Sequence, residues 1–185
     1  MIAYKKEKRE NAMCYFATEH FNRTTRNVPQ TTLYKYLAYL DFTSLKEIGK
    51  PALELEYKAM SEGPVPPEIY NRRKNYKSRL VEFIPTGENK YIVRPKGNAD
   101  LDYFSKHEIR KMNELINKYA IRSMSEKEII DRICDDSHKE IRAWKVAHDI
   151  KENTIMRYED TFENIFDKTE KELTAAEENF LLYLH

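Results

Sequence analysis

Residues 31–51 read TTLYKYLAYLDFTSLKEIGKP, and this stretch decides the fold. Leu33, Tyr36, Leu37, Leu40 and Leu45 recur at the 3.6-residue spacing of an α-helix, and Tyr34, Tyr39 and Phe42 widen the apolar surface to most of the circumference. A helix that apolar must be central rather than laid on a surface. Pro29 followed by Thr31 and Thr32 marks its start, and Gly49 with Pro51 marks its stop. The remaining segments therefore pack around a central helix near residues 31–48.

Working outward, an earlier helix is predicted over 10–21, with Met13, Phe16, Ala17, His20 and Phe21 on one face. The charged stretch Lys5–Arg9 before it reads as a mobile end. A third helix is predicted over 53–61, broken by Gly63-Pro64-Val65-Pro66-Pro67, where prolines fix φ and remove donors. Helix then resumes over 68–76. If Gly63 takes positive φ, the chain reverses there and a β-branched replacement is excluded. Leu80–Ile84 and Tyr91–Arg94 read as a β-hairpin, with the turn at 85–89 and Gly87 supplying positive φ.

The second half announces its helices by S/T-x-x-E capping boxes at Ser105, Ser125, Ser137 and Thr169, in which a hydroxyl satisfies an orphan amide and the glutamate reaches back. They predict helices at 105–120, 125–136, 138–147 and 170–184, with a shorter one over 154–165. The fold class is thus mainly α with one β-hairpin near 80–94. Three regions follow: an N-terminal segment and first helix (1–29), a central domain (30–150), and a C-terminal helical extension packed on it (151–185).

Composition narrows the function. The 185 residues are 41% hydrophobic and 34% charged, which describes a folded chain with a charged surface. A net charge of +1 gives no global attraction to nucleic acid or to an anionic membrane. Cys14 and Cys134 make neither a disulfide framework nor a zinc quartet, and free thiols suit a reducing compartment. Met1–Glu10 holds no apolar signal-peptide run, and no segment has the roughly 20 apolar residues of a membrane span. A cytoplasmic location is expected. No phosphate loop, H-E-x-x-H or G-x-S-x-G occurs, so no enzyme activity and no cofactor are expected.

Two clusters call for a weighing of alternatives. Cys134 and His138 stand at i, i+4, with His148 beyond and Asp135, Asp136 and Asp149 nearby, which sketches a metal or thiol site. The cap at Ser137 separates the first two, so a core or interface histidine is the preferred reading and no metal is expected. Arg72, Arg73, Lys74, Lys77 and Arg79, interleaved with Tyr70 and Tyr76, fit an acidic partner or single-stranded nucleic acid, against a plain solvated helix end. Trp144, the only tryptophan, is expected in the core, with an interface anchor as the alternative.

Two separated segments resemble the Panacea-domain (SocA-type) antitoxin family. Leu33-Tyr34-Lys35-Tyr36-Leu37-Ala38-Tyr39 is similar to its L-x-K-L-L-Y helix, and Gly63-Pro64-Val65 with Tyr70 to its G-P-V-x-x-x-x-Y signature. Downstream, Ser137-His138 followed by Trp144 is similar to its S/T-H and tryptophan. The resemblance covers roughly 30–150 and makes Gly63, Pro64, Val65, Tyr70, His138 and Trp144 the family positions, structural or partner-binding. It implies an antitoxin encoded beside a toxin, which it neutralises by direct binding or by adaptor-like delivery to a protease; other members are phage-associated. The expected partner is a cognate toxin protein. The alternative from another class is a nucleic-acid-binding regulator using Arg72–Arg79.

Overall fold

The computed structural model describes residues 4–184. Seven α-helices lie among them: α1 (Lys5–Thr24), α2 (Gln30–Ile48), α3 (Pro67–Arg72), α4 (Lys106–Tyr119), α5 (Glu126–Glu140), α6 (Arg142–Ile150) and α7 (Ala175–Leu184). The strands are β1 (Val28–Pro29), β2 (Lys58–Met60), β3 (Gly63–Val65), β4 (Val81–Gly87), β5 (Lys90–Pro95) and β6 (Thr154–Ile155). The fold is mainly helical, as the sequence predicts, with two small antiparallel sheets, β1-β5-β4 and β3-β2-β6.

Helix α2 is the axis. Leu33, Tyr36, Leu37, Leu40 and Leu45 are all fully buried, and α1, α4, α5, α7 and β3 pack around it. Gly49 stops the helix at φ +76, donating its amide to the Leu45 carbonyl at 2.8 Å. A Cβ there would lie 2.2 Å from the Ala176 carbonyl of α7, so glycine is needed both for its backbone angle and for the close approach. One apolar core extends from Ala12 on α1 to Phe180 on α7.

The hairpin forms where expected, with Phe83 opposite Val93 and Ile84 opposite Ile92. Its turn corrects the sequence reading: Asn89, not Gly87, takes the left-handed conformation (φ 55), and the ladder is irregular between Pro85 and Gly87. Asparagine tolerates that region because its short polar side chain bonds locally.

Other expectations are overturned by contacts distant in sequence. The helix expected over 53–61 is absent. Asp41, fully buried on α2, accepts hydrogen bonds from the amides of Leu53 (2.5 Å), Glu54 (3.2 Å) and Leu55 (3.3 Å) and from the Tyr57 hydroxyl (2.8 Å). Those amides turn toward the carboxylate, Glu54 adopts φ 50, and the chain enters β2 instead. Likewise 154–165 is not helical: Asn153 and Met156 donate to the carbonyls of Ala59 and Tyr57, both at 2.8 Å, which draws β6 onto β2, and 3₁₀ turns follow.

The boxes at Ser105 and Ser125 cap α4 and α5 with both reciprocal bonds. Ser137 caps nothing. It lies inside α5, fully buried, with Oγ donating to the Cys134 carbonyl at 2.7 Å, while Glu140 pairs with Lys118. Thr169 caps only a 3₁₀ turn (Glu170–Glu172), and the start of α7 is closed by Thr174 with Glu177. The stretch Lys5–Arg9 is the first turns of α1. Lys8 forms a buried ion pair with Glu108 at 2.7 Å, and Arg9 binds the Leu53 and Glu54 carbonyls and Glu68.

Candidate functional site

Gly63 and Pro64, two of the positions singled out from the sequence, meet at one side chain, Lys35. It projects from the middle of α2, is fully buried, and donates from Nζ to the Pro64 carbonyl at 3.2 Å. Burial pulls its pKa down to about 8, offset in part by Cys134 and Glu62. Gly63 adopts φ 103, the positive value anticipated from the break, and brings the β3 backbone down onto this lysine. A Cβ on Gly63 would lie 2.6 Å from Ser137 Oγ and 2.8 Å from Lys35 Cε, so no side chain fits between β3, α2 and α5. Pro64 and Val65 are buried behind it.

On the far side of β2 stands a stack of three rings. Trp144 of α6 lies between His138 of α5 (centroids 4.0 Å apart, planes 14° apart) and His148 (4.6 Å, 20°). Its indole N–H donates to the Met60 carbonyl at 3.0 Å, tying β2 to α6. Trp144 is buried, as expected, and the two imidazoles are half-buried. Burial, followed by the charge of Lys35, lowers the His138 pKa below the ordinary value. Cys134 is also buried, and desolvation pushes its thiol up. Among the described residues no three His, Cys, Asp or Glu side chains are grouped to hold a metal ion.

Tyr70 stands apart from this junction. Its ring packs edge-on to Tyr34 (6.4 Å) and lies 3.7 Å from the guanidinium of Arg73. The basic cluster is split by the fold. Arg73 is buried, bonded to the Tyr70 carbonyl and to Asn89 Oδ1 (3.3 Å), and so braces α3 against the hairpin. Arg72, Lys74, Lys77 and Arg79 are exposed. Lys77 and Arg79 line an open groove of about 740 Å³ against the start of α1.

Sequence reasoning passed over Lys35, Asp41 and Ser137 as site residues. A signal for the first two was present: a lysine and an aspartate inside a helix apolar on nearly all sides must be buried, and a buried charge needs a reason.

These features define a helical scaffold in which a buried lysine and a His–Trp–His stack lock two short strands onto the helices. The family model described as the antitoxin SocA-like Panacea domain matches residues 33–145, more than half of the chain, and the protein belongs to that family. The matched span opens on α2 and closes just after Trp144, so it contains the whole Lys35–Gly63–Ser137–Trp144 junction. No curated protein and no solved structure matches the chain. Among the described residues no helix is long and apolar enough to cross a membrane.

Proposed function

We propose that this chain is an antitoxin that neutralises a cognate toxin by binding it directly, as a scaffold and not as an enzyme. The observation that carries the reading is the SocA-like Panacea match over residues 33–145. The junction's construction supports it: Gly63, Pro64, Val65 and Trp144 are buried and braced, which suits positions that maintain a scaffold while the surface varies with the toxin. The segment beyond the match is where we place toxin specificity. There Phe166 and Leu182 are 63% and 74% exposed, the type of apolar anchor an interface buries. A masking antitoxin must hold its toxin at cellular concentrations, which requires a Kd of about 1 μM or tighter, or roughly −8 kcal/mol.

Coexpression tests this. Cells expressing the product of the adjacent gene should regain growth when this chain is present, and the two proteins should copurify. Rescue that depends on a cellular protease would replace masking by adaptor delivery. No rescue and no complex, with both proteins soluble, would end the antitoxin reading. Rescue without a complex, with the chain on its own promoter DNA, would install the nucleic-acid regulator.

A further inference from the structure

The groove beside α1 belongs neither to the core nor to the Lys35 junction. The first turns of α1 line it with Lys6, Glu7, Glu10 and Asn11, and the stretch Tyr76–Leu80, Lys96 and Tyr103 supply the rest of the lining. A smaller pocket of about 100 Å³ continues it past Tyr76 toward Arg72.

Three properties make it more than a crease. It is rigidly built: Ser78 Oγ donates to Glu10 (3.0 Å) and accepts from the Leu80 amide (3.0 Å), the Lys96 amide donates to the Leu80 carbonyl (2.8 Å), and Asn11 accepts from the Asp100 amide (2.7 Å). Its charge is left open, since Lys77, Arg79 and Lys96 form no ion pair with any described carboxylate, and Lys77 and Arg79 are exposed. Its aromatic walls are held by neighbours, Tyr76 against Phe83 (5.3 Å) and Tyr103 against Tyr4 (6.5 Å), and rigid tyrosines are inexpensive anchors in entropy.

We infer that this groove is a docking site for an acidic, extended segment of the protein partner, resting on the reading that the chain acts by binding a protein. Unpaired cations in a preformed groove bind carboxylates with little reorganisation and speed encounter. Glu7 and Glu10 sit among those cations, so the lining carries both signs of charge rather than a purely basic surface. A peptide, which alternates acidic with neutral residues, meets the mixed lining; a polyanion charged at every nucleotide does not. A second copy is the other source of carboxylates, since residues 151–185 hold nine against four Lys and Arg. Groove-to-tail contact between copies would be heterologous and would grow open chains.

Fluorescence anisotropy decides it, using a labelled hexapeptide of alternating glutamate and leucine and the full chain at low salt. Binding should weaken about 10-fold or more in the Lys77→Glu/Arg79→Glu double variant and fall with added salt. Unchanged circular dichroism of that variant would exclude misfolding as the cause. Equal binding by both proteins, or no binding, overturns the proposal. So does tighter binding of a thymidine oligonucleotide of equal charge, or light scattering showing a self-association that the same variant abolishes. Peptide failure alongside toxin rescue removes the groove and keeps the antitoxin; peptide binding without rescue does the reverse.

Discussion

Two regions of α2 carry opposite buried charges and treat them differently. At Asp41 the carboxylate meets four donors within 3.3 Å, three of them backbone amides. At Lys35 the ammonium meets one carbonyl, at 3.2 Å. Both side chains are fully buried. Desolvation raises the Asp41 pKa to about 6 against the pull of its donors, so it stays ionised at neutral pH, and it lowers that of Lys35 to about 8. Asp41 is therefore a structural hub whose four donors offset part of the cost of its burial and hold residues 53–57 in place. Lys35 has a single hydrogen-bond acceptor beneath Gly63–Pro64, so burial leaves its charge with less support from hydrogen bonds than that of Asp41.

The harshest way to break the contrast is Asp41→Ala. It orphans the amides of residues 53–55 and the Tyr57 hydroxyl in a dry interior, each worth roughly 1–3 kcal/mol before relaxation. A total loss of about 3–5 kcal/mol is expected, a large share of a typical domain's stability. Urea denaturation measures it. A loss near zero would show that the 51–57 segment is held by its leucines alone.

Lys35→Met should act in the opposite direction. At pH 7 the variant is expected to gain about 1–3 kcal/mol or to break even, because an apolar chain of similar length replaces a poorly compensated charge. The pH dependence follows from the sign of the shift. The folded pKa, about 8, lies below the ordinary 10.5, so the lysine's contribution is complete above pH 10.5 and is lost as pH falls through 8. The methionine variant's advantage should hence be greatest below pH 8 and shrink above it by about 1.4 kcal/mol per pH unit. An advantage that is flat from pH 7 to 10 would mean that Lys35 titrates normally. A gain in stability accompanied by weakened toxin binding would mark Lys35 as kept for function.

The contrast also explains what the sequence made legible. Features set by neighbours along the chain came through: the periodicity of α2, the stop at Gly49, the positive φ of Gly63, the 81–95 hairpin, and the caps at Ser105 and Ser125. Features set from afar did not. Asp41 reshapes residues more than ten positions away, Lys8 is fixed by Glu108, and β6 is recruited by β2. Ser137 carries the cap pattern, yet it lies in the last turn of α5, a small buried residue where Gly63 arrives. Of the candidate site, the sequence offered Gly63, Pro64, Val65, Tyr70, His138 and Trp144 as expectations, drawn from a resemblance. The junction was not legible, because its centre, Lys35, looks in sequence like one more charge on a helix. The basic cluster was visible as a run, but only the fold shows that Arg73 turns inward while Lys77 and Arg79 face a groove completed by Lys6 and Lys96.

The mildest perturbation reports on the Lys35 side of the comparison without dismantling it. His138→Gln removes one ring from the Trp144 stack, worth about 0.5–1.5 kcal/mol for an aromatic pair. His138 Nε2 is buried without a hydrogen-bond partner among the described residues, so no polar bond from that atom is lost with it. The variant should fold and should still neutralise toxin, because the ring is packing and not chemistry. Its value is spectroscopic. Trp144 is the only tryptophan, and an imidazolium stacked on an indole face perturbs its emission. Fluorescence of the native protein should therefore titrate in a step whose midpoint lies below the ordinary histidine value, since burial and the Lys35 charge both disfavour the imidazolium. His138→Gln should abolish that step, whereas Lys35→Met should move it upward by removing the repelling charge. A step that survives the glutamine variant would show that His138 is not its source, and one indifferent to Lys35→Met would show that the buried ammonium and the ring stack are electrostatically separate.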